Sequence, residues 1–71
     1  MIGDEIRKER LRARMSQERL AEIAGIHRTY VSLIERNINN PTMRTLMRIS
    51  RALGIDTSAL LERVEEWTTE E

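Results

Sequence analysis

The 71-residue chain has no cysteine, one proline, three glycines and a single histidine. Without cysteine there is no disulfide framework and no thiolate metal site, and one histidine cannot assemble a metal centre alone. No apolar run approaches the length of a membrane span and no signal-peptide pattern is present, so a soluble, cytoplasmic protein is expected. There is no nucleophile–base–acid set, no phosphate-cradling glycine loop and no metal-ligand spacing, so no enzyme, cofactor or metal is expected. A chain this short makes one domain with a modest core, which close helix packing or self-association must support. The scarcity of proline and glycine, with no alternating β-branched run, predicts an all-α fold.

The chain also lacks net charge, yet its charges are unevenly placed. Residues 1–53 carry eleven basic and six acidic side chains, a balance of +5; residues 54–71 carry one basic and six acidic, a balance of −5. Eleven of the twelve basic residues are arginine. The guanidinium fork suits either phosphate binding or surface ion pairs, and charge alone does not choose between them.

Five helices are predicted. The first runs from about Gly3 to Arg14, with Ile2, Ile6 and Leu11 apolar; Asp4 and Glu5 suit its N-terminus and Arg12 and Arg14 its C-terminus. Arg7, Lys8, Arg10, Arg12 and Arg14 suit a phosphate patch, though part of the set is simply the wet face of this helix, paired with Asp4, Glu5 and Glu9. Ser16 caps the second helix, Leu20, Ile23 and Ala24 follow at helical spacing, and Gly25 ends it. The third runs from His27 or Arg28 to Arg36, and "NINNP" is a loop. Thr42 caps the fourth, with Met43, Leu46, Met47, Ser50 and Leu53 on one face, and Gly54 stops it; Met15, Met43 and Met47 are expected as core filler. Asp56 or Thr57 caps the fifth. The domain is expected to span residues 1–67, with a frayed acidic tail at 68–71.

Helices two and three, short, amphipathic and joined across Gly25, make a helix-turn-helix. In that arrangement the second helix enters the DNA major groove with its N-terminal residues on base edges. Val31, Ile34 and Leu33 are expected inward, with Ala21 letting the two helices approach. Arg28, Thr29 and Ser32 then point outward. Arginine can donate two bonds to guanine O6 and N7, and threonine offers a hydroxyl and a methyl. Tyr30 is expected to reach a phosphate, a sugar or a base. His27 suits a capping or phosphate-adjacent place, and Glu35 a structural bond to a buried arginine or backbone.

The stretch "MSQERLAEIAGIHRTYVSLIERNINNPTMRTLMRISRALGI" resembles the lambda repressor and Cro (XRE) family, from S-Q-E-x-L-A through A-G-I and I-E-R to N-P-T. The resemblance implies a compact five-helix lambda-repressor-like domain acting as a regulator on double-stranded DNA. Within the family, "HRTYVSLIERNINNPT" is most similar to controller proteins of restriction-modification systems, which implies a homodimer on a palindromic operator controlling its own operon. The M-I-G-x-x-I-R start also resembles biofilm and sporulation repressors and some antitoxins; the alternative is an antitoxin or biofilm/phage-type repressor whose C-terminal helix also binds a protein. Carried over, the resemblance implies base reading by Arg28 and Thr29, with Tyr30 and Ser32 on backbone or base. It implies phosphate contacts from Gln17, which also buttresses the recognition helix, from Arg36, Asn37 and Asn39, and from Thr42 and Arg44 at a helix N-terminus. Glu18 and Glu22, on one exposed face, would touch the sigma subunit of RNA polymerase.

A dimer surface is expected on the fifth helix, whose stripe of Ile55, Leu60, Leu61, Val64 and Trp67 exceeds what a lone helix buries on so small a body. Leu60 and Val64 suit the intramolecular core. Leu61, Arg63 and Trp67 are then the expected contacts, with Trp67 as anchor.

Overall fold

Capping residues set the helix boundaries. The computed structural model describes residues 1–64 and comprises α1 (Ile2–Arg12), α2 (Gln17–Ala24), α3 (Arg28–Glu35), α4 (Met43–Leu53) and α5 (Thr57–Glu62). Trp67, the expected domain end at residue 67 and the tail 68–71 lie outside the described residues. Ser16 Oγ accepts the Arg19 N–H at 2.9 Å, and Thr42 Oγ1 accepts the Thr45 N–H at 3.1 Å. Each such cap satisfies one orphan donor of a helix end and contributes about 1 kcal/mol. Gly25, at φ +74°, ends α2 in the left-handed conformation. Asp56 and His27 occupy N-cap positions of α5 and α3, but neither side chain makes the capping bond.

Two other helices end through a left-handed residue that is not glycine. Arg14 takes φ +58° after α1, and Met15 N–H donates to Arg10 O at 3.1 Å. Asn37 takes φ +61° after α3, and Ile38 N–H donates to Leu33 O at 3.0 Å. Both are the six-to-one closure normally built on glycine. It ends α1 two residues before the expected Arg14.

The core is made by Ile2 and Ile6 of α1, Leu20, Ala21 and Ala24 of α2, Val31 and Ile34 of α3, Leu46 and Ile49 of α4, and Leu60 with Val64. Helix α2 packs against both α3 and α4, while α1 closes over α3, α4 and α5. Ser50, buried on α4, donates to the Leu46 carbonyl and meets Thr57 Oγ1, which joins α4 to α5.

Several expected core positions lie elsewhere. Met43 and Met47 are 46% and 49% exposed, because the buried seam of α4 runs through Leu46, Ile49 and Ser50 and leaves both methionines on its flank. Met15 does pack against the core. Leu33 is only half-buried and stands outside the core, and Leu11 and Ile23 are exposed. On α1 the buried face continues from Ile6 not into Leu11 but into Glu9 and Arg10. Arg10 therefore leaves the expected wet face, for an electrostatic reason given below.

Candidate nucleic-acid interface

The turn between α2 and α3 is tight because both Gly25 N–H and Ile26 N–H donate to the Ala21 carbonyl, at 2.9 and 3.0 Å. Ala21, 4% exposed, adds no bulk where the helices meet. Val31 and Ile34 lock the inner face of α3, so its first turn is presented outward. Arg28 and Thr29 are exposed and Ser32 is half-buried. With Gln17, the first residue of α2, these three line a shallow open hollow of about 170 Å³. The fold thus brings together residues from two helix N-terminal turns that are eleven positions apart in sequence. Guanidinium, carboxamide and two hydroxyls make a surface of hydrogen-bond donors with acceptor capacity, suited to base edges and phosphate oxygens.

Behind the hollow lies one buried carboxylate. Glu35 Oε2 accepts from Arg10 Nε at 2.6 Å, and Oε1 from Arg10 Nη2 at 3.0 Å. The fork is bidentate, and Arg10 Nη1 also donates to the Met15 carbonyl at 2.8 Å. Gln17 Nε2 donates to the same Oε1 at 3.1 Å. Glu35 therefore fixes the start of α2 and the end of α3 to α1, fulfilling the structural role expected of it. Arg10 is its partner, so a guanidinium read as surface charge is a core residue. Its place four residues after Ile6 on the buried face of α1 was the signal that could have revealed it.

The end of α3 is held in a similar way. Gly3 N–H donates to Asn37 Oδ1 at 3.0 Å, and Asn37 Nδ2 donates to Asp4 Oδ1 at 3.2 Å. A Cβ at Gly3 would overlap the Ile34 carbonyl oxygen, so only glycine lets α1 approach this closely. The Asn37 bond holds the Asp4 carboxyl below its ordinary range. Asn37 is thus a structural joint, its Oδ1 and one N–H of Nδ2 engaged.

The remaining expected residues are scattered around the hollow. Tyr30 is half-buried and rests partly on the core. Arg36 is exposed, its Nε donating to Ser32 O at 3.4 Å; Asn39 is exposed in the loop. Thr42 serves as a cap, and Arg44 is exposed beyond it. Glu18 and Glu22 are both exposed on α2, with Glu22 2.9 Å from Arg19. Leu61 is half-buried against the core. Arg63 remains partly exposed, with its Nη1 donating to Glu9 Oε2 at 2.5 Å and lying 3.9 Å from Glu5. That bond draws the Glu9 carboxyl down and raises the guanidinium. Among the described residues no group of acidic or histidine side chains could hold a metal, and no helix is long and apolar enough to cross a membrane.

Comparison with known proteins agrees with this geometry. The family described as Helix-turn-helix matches residues 6–60. Control protein C.SmaI of Serratia marcescens is 40% identical over 63 residues, covering 89% of this chain and 75% of its own. The restriction-modification controller protein C.AhdI from Aeromonas hydrophila superposes with a TM-score of 0.81 at 32% identity, covering 83% of this chain and 89% of that one. The biofilm master regulator SinR, solved in complex with DNA, superposes with a TM-score of 0.81 at 39% identity, covering 86% of this chain and 98% of that one. The chain belongs to the Cro- and lambda-repressor-type (XRE) helix-turn-helix family: it is a DNA-binding transcriptional regulator close to the restriction-modification controller proteins, not an enzyme.

Proposed function

We propose that the protein binds a palindromic operator as a homodimer and controls its own operon, as a restriction-modification controller. The observation that carries this reading is the single hollow shared by Gln17, Arg28, Thr29 and Ser32. Arg28, Thr29 and Ser32 read bases there. Gln17, oriented by Glu35, holds a phosphate with the part of its amide that the carboxylate leaves free. Tyr30, Arg36, Asn39, Thr42 and Arg44 meet the backbone around it. One short helix in one groove gives weak binding, and a two-fold pair reading half-sites roughly 34–36 Å apart overcomes this. Self-association falls to Leu61, to the exposed part of Arg63 and to Trp67, which lies beyond the described residues. Glu18 and Glu22 present carboxylates that can touch the polymerase sigma subunit when the protein activates.

Footprinting on the chain's own upstream region, with binding-site selection, tests this reading. Two symmetric protected half-sites one helical turn apart are expected. Arg28→Ala should cost roughly 1–3 kcal/mol and flatten the preference at one base pair per half-site. A single asymmetric site contradicts the dimeric reading; unchanged preferences in the variant make Arg28 a phosphate ligand.

A further inference from the structure

Helix α4 carries Arg44, Arg48 and Arg51, spaced four and three residues apart and so on one face. All three are exposed, and with Met47 they line an open hollow of about 490 Å³. Arg48 and Arg51 also border a second groove with Ile23 and Ala24, where α4 meets the end of α2. Ile23, Met43 and Met47 are each close to half exposed. Among the described residues none of these arginines forms an ion pair, whereas Lys8, Arg10, Arg12, Arg19 and Arg63 all do. The α4 hollow shares no lining residue with the one that holds Gln17, Arg28, Thr29 and Ser32. Three unpaired guanidiniums around exposed thioethers suit a ligand both acidic and apolar.

The chain itself contains such a ligand. Residues 65–71 read "EEWTTEE", four carboxylates and an indole with no basic residue. The carboxylates match the arginines, and the indole suits both a guanidinium plane and a methionine sulfur. The same molecule is the poorer source. Helix α5 starts beside this face, where Asp56 and Thr57 share a hollow with Met47 and Arg51. It ends on α1, where Arg63 meets Glu9 and Glu5. The described chain therefore ends beside the acidic pair Glu5 and Glu9 of α1, whereas the arginine face lies on α4.

We infer that the acidic segment Glu65–Glu71 of one copy docks on the Arg48–Arg51 face of α4 in a second copy, with Trp67 against Met47, leaving Arg44 to the DNA backbone. Two-fold symmetry makes the exchange reciprocal, so each dimer holds two such contacts. The inference rests on the homodimer reading and states which surface receives the segment.

Trp67 is the only tryptophan, so its emission reports on the segment directly. Emission is recorded from nanomolar to micromolar protein alongside sedimentation. A blue shift that rises with the dimer fraction is expected. Arg48→Glu/Arg51→Glu should lose the shift and weaken self-association about tenfold or more, with unchanged helical circular dichroism, and Glu65→Lys/Glu66→Lys should do the same. An equimolar mixture of the two variants should recover both signals, since each then carries the charge the other needs. A wild type that stays monomeric at micromolar concentration sinks the homodimer reading and this inference with it. A dimer whose Trp67 shift survives the arginine reversal keeps the homodimer and overturns the α4 docking face. A shift independent of concentration places the segment on its own molecule and also overturns the proposal.

Discussion

A single carboxylate, Glu35, holds an arginine and a glutamine that do different work. Arg10 is buried with it, so Glu35→Ala should strand a guanidinium in the core and cost about 3–5 kcal/mol, read as a drop in the urea midpoint. Gln17→Ala leaves that ion pair intact. It should weaken binding to all DNA sequences alike, and a changed preference in binding-site selection would reassign Gln17 to base reading. Gly3→Ala should push α1 away from the Ile34 carbonyl at a cost of about 1–3 kcal/mol, again read by urea denaturation. Arg28, Thr29 and Ser32 were legible in the sequence because a glycine turn followed by apolar positions at 31 and 34 fixes which way they point. Gly3, Arg10 and Asn37 were not, because their partners lie 25 to 34 residues away. No local pattern marks a glycine as a contact point, and the helical spacing from Ile6 that puts Arg10 on the buried face does not name Glu35 as its partner.

The helices themselves were easier to read than the joints between them. Ser16, Gly25, Thr42 and Gly54 set boundaries through short-range bonds and backbone conformation, so α2 and α4 sit where the sequence puts them. The non-glycine turns at Arg14 and Asn37 follow no residue-type signal strong enough to foresee. The methionines of α4 were misplaced because one helical stripe fits two rotations, and only packing of Leu46 and Ile49 against the other helices selects between them. The link between α5 and α1 brings a pH dependence. Hydrogen bonding from Arg63 lowers the Glu9 pKa from its ordinary 4.5, so the link stabilises the fold above that pH. This contribution is lost as pH falls through the depressed folded value. Thermal melts between pH 6 and pH 2 should therefore show a smaller acid loss for Glu9→Gln than for wild type. Equal losses would mean that the link contributes nothing in solution.

The zero net charge of the whole molecule conceals its use of charge. A donor-lined hollow and an arginine face on α4 are separate regions, and the sequence revealed the charge imbalance without this arrangement. The acidic pair on α2 belongs to this scale. Glu18→Ala/Glu22→Ala should spare DNA binding but reduce transcription in a purified polymerase assay wherever the wild type activates; unchanged transcription there would remove the sigma contact. The Glu35 junction has a further consequence for motion. Since the carboxylate joins three helices at once, the end of α3 has no inexpensive way to open by itself. Its backbone amides should exchange with deuterium only through global unfolding, at the same free energy as those of the α2 core. That end of α3 would then be ordered before any partner arrives, so binding would carry no ordering entropy there.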